Sequence, residues 1–385
     1  MSAGHERMLL SGNHAVAWAV RLARPQVIPV YPITPQTPIL EKITEFVNSG
    51  ELHAELITPE SEHSAIAACI TASLTGSRVF TATSSQGLLL MHELLHYGAG
   101  NRASIVMFNV NRTVGSPWGF WPDQTDSLSQ RDTGWMQFYC ESGQESLDTV
   151  LQAFRIAEQL NLSIIICHDA FYVSHAVEPV LVPSQQLVDE FLPPIALQHR
   201  LDPALGSSVG SNAEQAVWRR NRVDMGASMD EALTLALECS SEWARISGRE
   251  QCGNIESYRC EDAQLVFVTM GSMCGSAREA VDMLRETGQR AGLLKIRLFR
   301  PFPVSELREA LNGVPCVLVL DRNYAPGLGG ILHQELRSAL YGVSRPPPVH
   351  GLLAGVGGVS VSPEQLVQHA ARFMDAAPSF NSEWV

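Results

Sequence analysis

Three polar side chains lie where the sequence pattern places the ends of strands and helices, and each could act on a substrate or cofactor. Thr34 lies between Pro32 and Pro35, so its hydroxyl is held on a stiff loop that follows a β-rich run. Glu62 directly precedes an apolar helical run over 64–70, where a carboxylate needs either a partner or a chemical task. The structural alternative for Glu62 is a carboxylate stabilised only by the helix macrodipole.

Arg112 is the third candidate, because a guanidinium can grip a carboxylate through two hydrogen bonds. It follows a predicted strand and precedes a loop over 115–126 in which three large aromatic residues stand among glycines and prolines: Trp118, Phe120 and Trp121. These aromatic side chains either pack on the core or wall a pocket. For Arg112 itself, a salt bridge to Asp123 or Asp126 is an equally good interpretation.

The run His92-Glu93-x-x-His96 has the spacing of the zinc-protease helix motif, which makes a zinc metallohydrolase an alternative function. Ala99 and Arg102 stand where the longer form of the motif requires glycine and a third histidine. The run also continues from an apolar Leu-Leu-Leu-Met stretch. We therefore interpret the two histidines as hydrogen-bonded residues of a core helix, and we expect no metal ligands in this chain.

The composition excludes several classes of function. With 45% hydrophobic and 17% charged residues over 385 positions, the chain is long and apolar enough for two buried cores. A formal net charge of −13 argues against nucleic acid or an anionic membrane as a partner. Lys42 and Lys295 are the only lysines, and neither lies in a glycine-rich loop, which excludes a P-loop nucleotidase. No membrane span or signal peptide is evident, and the cysteines are dispersed without a Cys-x-x-Cys pair, so we expect a cytoplasmic location.

Predicted strands alternate with predicted helices along the first half of the chain. This pattern predicts an α/β fold with a parallel sheet covered by helices on both faces. Residues 176–222 are rich in Pro, Ser, Asn and Gln and predict an extended arm. A second α/β unit begins at 265 and contains a glycine-rich turn before its last predicted helix. We expect a first domain over 1–253, including the arm, and a smaller α/β domain over 258–385.

Taken together, the motifs resemble those of the alpha subunit of the 2-oxoacid:ferredoxin oxidoreductases, the pyruvate:ferredoxin oxidoreductase type. The resemblance covers nearly the whole chain, and its motifs follow the family's order: Gly12-Asn13-x-Ala15, Tyr31-Pro32-Ile33-Thr34-Pro35, Ser61-Glu62, Thr83-Ser84-Ser85-Gln86-Gly87, Asp126-x-x-x-x-Arg131-Asp132-Thr133-Gly134-Trp135, Met270-Gly271-Ser272, Arg300-Pro301-Phe302 and Asp321-Arg322-Asn323. It implies a pyrimidine-type thiamine-diphosphate-binding domain followed by a domain like the C-terminal domain of transketolase.

The resemblance also implies roles for individual residues. Glu62 would hydrogen-bond N1′ of the thiamine pyrimidine and favour the tautomer that removes the C2 proton. Four further residues would contact the cofactor: Pro32, Ile33, Ser85 and Gln86. Thr34 and Arg112 would position the 2-oxo acid, with the guanidinium on its carboxylate. Trp118 and Phe120 stand where family members with small substrates usually carry aliphatic residues, so the resemblance leaves pyruvate and a bulkier aryl 2-oxo acid such as phenylglyoxylate as alternatives.

The family's reaction needs parts that this sequence lacks. No Gly-Asp-Gly diphosphate motif and no cysteine cluster for an iron–sulfur centre occur in the chain. The resemblance therefore implies a heteromeric complex that converts a 2-oxo acid and coenzyme A to acyl-CoA and CO2. A beta-type subunit would hold the cofactor's diphosphate and Mg2+, a ferredoxin-like subunit would hold [4Fe-4S] clusters, and a gamma-type subunit would complete the complex. A flavin subunit would indicate nicotinamide as the acceptor. A non-catalytic scaffold subunit is the remaining alternative.

Overall fold

The computed structural model of the protein describes residues 4–196, 200–202, 204, 206, 208–374 and 376–385. Its helices are α1 (Gly12–Ala23), α2 (Thr37–Asn48), α3 (Glu62–Leu74), α4 (Ser85–Leu90), α5 (His92–Gly100), α6 (Thr125–Leu128), α7 (Gly143–Leu160), α8 (Gln185–Phe191), α9 (Gln215–Ser247), α10 (Met273–Glu286), α11 (Val304–Ala310), α12 (Ile331–Leu340) and α13 (Pro363–Phe373). Among the helices described, none is both long and apolar enough to cross a membrane.

The strands form three sheets. They are β1 (His5–Ser11), β2 (Val27–Pro29), β3 (Glu55–Ile57), β4 (Val79–Thr83), β5 (Ile105–Asn111), β6 (Met136–Tyr139), β7 (Ile164–Asp169), β8 (Val177–Pro183), β9 (Ile255–Tyr258), β10 (Leu265–Thr269), β11 (Ala291–Ile296), β12 (Leu298–Arg300), β13 (Cys316–Asp321), β14 (Val349–Leu353) and β15 (Glu383–Trp384). The largest sheet has the order β12-β6-β7-β5-β4-β2-β3, the second has the order β15-β14-β13-β10-β11-β9, and β1 pairs with β8.

The large sheet is parallel except at its β12 edge, which confirms the predicted α/β class. Every residue of β4, β5 and β7 is buried, as expected for strands that helices cover on both faces. From β2 the chain passes to β3 on one side and then returns to β4 on the other side of β2. The sheet therefore has a topological switch point between β2 and β4, where α/β proteins bind their ligands.

The two large sheets belong to units that share a core. One cluster of buried apolar side chains combines residues from both units, such as Ile165 and Cys167 of β7 with Val266 and Leu294 of β10 and β11. Strand β12 also leaves the second unit and pairs with β6 of the first sheet. The second unit therefore packs against the first through a shared apolar core and a shared sheet.

The prediction of one extended arm over 176–222 is wrong for much of its length. Residues 177–183 form β8, which pairs along its whole length with β1, and residues 185–191 form α8. Helix α9 also begins at Gln215, within the range predicted as an arm. The polar composition of the whole segment misled the prediction, because β8 itself is the mainly apolar run Val-Glu-Pro-Val-Leu-Val-Pro, whereas the first turns of α9 are exposed and polar.

Candidate active site

The predicted site residues all follow the carboxyl ends of adjacent parallel strands. Thr34 follows β2, Glu62 follows β3, Gln86 follows β4 and Arg112 follows β5. Because β3, β2, β4 and β5 are neighbours in the sheet, these residues meet at one edge, around the switch point. Residues that are up to 78 positions apart in sequence are therefore in direct contact.

The loop after β2 is held by a buried amide rather than by its own prolines alone. Asn13 Nδ2 donates to the carbonyl oxygen of Pro35 at 2.8 Å, and Asn13 Oδ1 lies 3.2 Å from Nε2 of His168. Burial lowers the pKa of His168 to about 3, so this imidazole is neutral at physiological pH. The Thr34–Pro35 peptide bond is cis. Pro32 and Thr34 remain exposed at the tip of the loop, while Ile33 is half-buried.

Glu62 is the first residue of α3, where the Ser61 hydroxyl accepts a hydrogen bond from the backbone N–H of Ser64 at 3.3 Å. The macrodipole favours a carboxylate there, as the structural alternative predicts. However, Glu62 is only 7% exposed, and no described residue donates a hydrogen bond to its carboxylate. A buried carboxylate without a donor is costly unless a ligand supplies one.

Gly87 provides the space in which the Glu62 carboxylate lies. A Cβ atom added at Gly87 would come within 2.6 Å of both Glu62 Oε1 and Thr83 Oγ1. The Thr83 hydroxyl is also buried without a hydrogen-bond partner in the structure. The absence of a side chain at Gly87 therefore leaves two polar groups facing the same small space.

The turn from β4 into α4 is held in a strained backbone conformation. Ser85 is buried and has φ +48°, a left-handed conformation that costs a non-glycine residue about 1–2 kcal/mol. Its N–H donates to Asp126 Oδ2 at 3.0 Å, which stabilises the turn. The turn places the Gln86 side chain, which is half-buried, toward Arg112.

Asp126 organises the site from beneath. Its carboxylate accepts hydrogen bonds from five N–H groups, which belong to Ser85, Asn109, Asn111, Arg112 and Ser127. Burial raises the pKa of Asp126 to about 6, and these donors oppose that increase, so the group is ionised at neutral pH. Sequence reasoning considered Asp126 only as an ion-pair partner and as part of a family motif, and missed this positioning role.

Arg112 is 5% exposed, and its guanidinium is not paired with a carboxylate among the described residues. Nη1 donates to the carbonyl oxygen of Thr34 and Nη2 donates to Gln86 Oε1, while Nε is buried without a partner. The predicted salt bridge to Asp123 or Asp126 is therefore wrong, since only the backbone N–H of Arg112 contacts Asp126. Burial lowers the pKa of Arg112, and the charges of Asp126 and Glu62 raise it. Gln86, which accepts from Arg112, precedes Gly87, which faces Glu62 Oε1, so both charged side chains adjoin the same turn.

The aromatic loop covers the guanidinium. Arg112 Cζ lies 5.1 Å from the ring centroid of Trp118 and 6.0 Å from that of Phe120, and the two rings meet edge to face at 5.3 Å. Trp118 is 54% exposed and Phe120 is 45% exposed, so these rings wall an open site and are not part of the core. This favours the pocket interpretation of the loop.

The zinc-motif residues are placed differently. Nδ1 of His92 lies 2.5 Å from Gln130 Oε1, and its ring packs edge to face against His96 at 5.1 Å. His92 and Glu93 are exposed, so the interpretation of the motif as part of a core helix is wrong for these two residues. Within the described part of the chain, no cluster of three or more His, Cys, Asp or Glu residues could hold a metal ion.

The chain belongs to the class of 2-oxoacid oxidoreductases, as two family models and its relatives show. Residues 18–237 match the family described as pyruvate flavodoxin/ferredoxin oxidoreductase, thiamine diphosphate-binding, and residues 263–366 match pyruvate:ferredoxin oxidoreductase core domain II. The chain belongs to this family, as an alpha subunit of its 2-oxoacid:ferredoxin oxidoreductases, which confirms the resemblance seen in its motifs.

Similar proteins cover almost the whole chain. Pyruvate synthase subunit PorA of Methanothermobacter thermautotrophicus is 45% identical over 94% of each chain, and ketoisovalerate oxidoreductase subunit VorA of Pyrococcus horikoshii is 48% identical over 91% of this chain and 90% of the relative. Among solved structures, a 2-oxoglutarate:ferredoxin oxidoreductase from Magnetococcus marinus matches 96% of this chain with a TM-score of 0.72 at 19% identity. The match spans 65% of that longer chain. A split-gene transketolase matches 95% of this chain with a TM-score of 0.57 at 12% identity, which supports the transketolase-like fold.

Proposed function

We propose that this chain is the alpha subunit of a multi-subunit complex that oxidatively decarboxylates a 2-oxo acid to its acyl-CoA and CO2. The observation that carries the proposal is a buried carboxylate without donors, Glu62, and a buried guanidinium without a carboxylate in hydrogen-bond contact, Arg112, which both adjoin the Gln86–Gly87 turn. A cofactor ring nitrogen and a substrate carboxylate would supply the missing partners. Two similar proteins, named as pyruvate synthase and ketoisovalerate oxidoreductase subunits, support this reaction class.

The residues fit thiamine diphosphate. Glu62 would accept a hydrogen bond from the protonated N1′ of the pyrimidine, and the absence of a side chain at Gly87 leaves room for the carboxylate itself. Pro32, Ile33 and the Ser85–Gln86 turn would border the same ring. When bound, the cofactor supplies the carbon nucleophile that adds to the keto group and the electron sink for loss of CO2.

The chain's own residues would hold the substrate and exclude water. Arg112 has five N–H donors, of which two bind Thr34 O and Gln86 Oε1, so Nε and the outer hydrogens remain for a carboxylate. The Thr34 hydroxyl is exposed beside this group and would orient the keto oxygen. Trp118 and Phe120 would contact the substrate side chain, which favours an apolar 2-oxo acid over one with a second carboxylate.

We infer that the side chain of the substrate extends toward Trp118 and Phe120. An aryl 2-oxo acid such as phenylglyoxylate is then an alternative substrate to pyruvate and to branched-chain 2-oxo acids. Steady-state rates of the assembled complex with each acid test this inference. An equal or better kcat/KM for pyruvate than for phenylglyoxylate would remove the aryl substrate from the proposal.

The complex would require the partners that the family resemblance implies. A beta-type subunit would bring the diphosphate and Mg2+ site to the exposed rim around Pro32, Thr34 and Leu90. A gamma-type subunit and a ferredoxin-like subunit with [4Fe-4S] clusters would take two electrons from the reaction. Co-purification of the tagged chain from its native source, followed by mass spectrometry of the bound subunits, tests this composition, and a flavin subunit would indicate nicotinamide as the acceptor. Fractionation of the same cells tests the cytoplasmic location.

The Glu62→Gln variant tests the catalytic role. Because an amide cannot accept the N1′ proton as a carboxylate does, we expect a loss of about tenfold or more in kcat, the size that general acid–base groups contribute. The control is Glu60→Gln, since Glu60 is two residues away, exposed, and bonded only to the Ser64 hydroxyl among described residues. Full activity of the assembled Glu62→Gln complex would instead favour a non-catalytic scaffold subunit.

A further inference from the structure

The aromatic loop that carries Trp118 and Phe120 is closed at its base by Thr113, the residue after Arg112. The Thr113 hydroxyl accepts a hydrogen bond from Gly119 N at 2.7 Å and donates to Gly119 O at 2.6 Å. Thr113 N also donates to Trp121 O at 3.1 Å. Residues 116–118, 120 and 121 are exposed. The first unit otherwise holds the loop through Arg112, which lies under Trp118 and Phe120, and through Phe171, whose ring centroid is 5.5 Å from that of Trp121.

The far end of this loop rests on the second unit. A turn of that unit, Gly355-Val356-Gly357-Gly358, follows β14 and has φ between +65° and +79° at its three glycines. A Cβ atom added at Gly358 would lie 2.3 Å from Cβ and 2.9 Å from Cγ of Trp121. We call these four residues the glycine turn.

A buried polar group connects the glycine turn to the first unit. Arg322, after β13, donates through Nη1 to Asp169 Oδ2 at 3.0 Å and to the Ser272 hydroxyl at 2.6 Å. Its guanidinium lies 5.0 Å from the Tyr172 ring, and the Tyr172 hydroxyl donates to Gly358 O at 3.1 Å. Arg322 therefore packs against Tyr172, and Tyr172 is hydrogen-bonded to the glycine turn.

The backbone of Arg322 also contacts the aromatic loop. Gln124 N donates to Arg322 O at 2.9 Å, and the Gln124 side chain donates to Asp169 Oδ1 at 3.3 Å. These contacts with the second unit reach Trp121 and Gln124, in the segment 121–124 that ends the aromatic loop. A shift of the glycine turn would be transmitted to Trp118 and Phe120, and with them to the cover over Arg112.

We propose that the glycine turn, with Tyr172 and Arg322, sets the position of the aromatic loop and thereby selects which 2-oxo acid side chains the site accepts. These are positioning residues, since none of them is placed to contact the reacting atoms. The inference rests on the proposed function, because it assigns part of that site's selectivity to the second unit. It predicts that changes at Gly358 alter discrimination between substrates more than they alter turnover of the smallest one.

The test compares Gly358→Ala with Gly342→Ala in the fully assembled complex. Both glycines have positive φ, +79° and +84°, but a Cβ atom at Gly342 would meet nothing within 4 Å, so this variant controls for backbone strain alone. We expect Gly358→Ala to change the ratio of kcat/KM for ketoisovalerate to that for pyruvate by at least about threefold, mainly through KM. Gly342→Ala should keep the wild-type ratio.

Tyr172→Phe provides a second, milder variant in case Gly358→Ala does not assemble. It removes the hydrogen bond to Gly358 O and adds no atom, and we expect a smaller change of the ratio together with faster amide exchange over 116–121. A wild-type ratio in an assembled Gly358→Ala complex, or in Tyr172→Phe when the glycine variant does not assemble, would overturn the inference. A wild-type complex that is inactive with every 2-oxo acid would instead refute the proposed function.

Discussion

The substitution Gly87→Ala offers a sharp test of how the site positions Glu62. The added Cβ atom would lie 2.6 Å from Glu62 Oε1, whereas ordinary van der Waals contact begins at 3.4 Å, so the carboxylate must retreat by about 0.8 Å. Oε1 is the far end of a rotatable side chain and can move without unfolding the helix, while the Thr83 hydroxyl, also 2.6 Å from the added Cβ atom, must turn away by a change of rotamer. The clash should therefore displace the catalytic carboxylate and add strain at the buried Thr83.

The expected magnitude follows from that displacement. A misplacement of about 1 Å costs about a hundredfold in rate, so we expect kcat to fall by about ten- to a hundredfold, or about 1.4–2.7 kcal/mol of transition-state stabilisation. The effect on stability should be smaller, within about 1–2 kcal/mol, because only side-chain ends need to move. The assay is steady-state turnover of the assembled complex together with its thermal midpoint.

The matched control is Gly100→Ala. Gly100 lies in helix α5, has no positive φ, and a Cβ atom there would meet nothing within 4 Å. We expect this variant to keep full activity and to gain slightly in stability, since alanine is the better helix former. If Gly87→Ala folds, binds its partners and turns over at the wild-type rate, the proposed location of the Glu62 carboxylate in catalysis is refuted.

Two further predictions concern substrate binding and acid stability. Arg112→Gln should raise the KM for any 2-oxo acid by at least about tenfold with an intact thermal midpoint, since it removes the buried positive charge, and an unchanged KM in the kinetic assay would show that the carboxylate binds elsewhere. The pKa of His168 is lowered to about 3 from 6.5, so the neutral ring stabilises the fold above pH 6.5 and this contribution is lost as pH falls from 6.5 toward 3. Wild type should therefore lose free energy of unfolding on acidification, by up to about 1.4 kcal/mol per pH unit from this group, and His168→Gln should lose less between pH 6.5 and 5 in urea titrations. Parallel losses in both proteins would contradict the assignment.

The sequence alone allowed the general architecture to be predicted. Short, mostly apolar runs such as Ile105–Asn111 predict strands that are covered on both faces, and their alternation with amphipathic helices predicts a parallel sheet. The residues that mark loop and helix boundaries were also informative. The prolines on either side of Thr34, and the position of Glu62 before an apolar helix, indicate loops at the ends of strands. Residue type and hydrophobic period predict which side chains are buried, and both are local properties of the chain.

Other features could not be predicted from local pattern. The segment over 176–222 was predicted as an arm because its overall composition is polar, although β8 within it is mainly apolar, and the pairing of β1 with β8 shows that this part is packed. The interpretation of Arg112 as a salt-bridge partner of Asp123 or Asp126 failed for a related reason. The guanidinium and the Asp126 carboxylate are near in sequence, but the side chain turns toward the β2 and β4 loops while only its backbone meets Asp126.

Residue type, hydrophobic period and ordered motifs were enough to predict the fold class, the family and the residues that can do chemistry. Folding in three dimensions establishes which of these residues meet: Glu62 opposite Gly87, Arg112 between Thr34 and Gln86, and the second unit's glycine turn against Trp121. The physical reason is that strand order in the sheet, and not distance along the chain, determines which loops are neighbours. The topological switch point between β2 and β4 brings distant segments to one edge of the sheet. Short contacts at that edge determine the charge and burial of the site residues and the space between them.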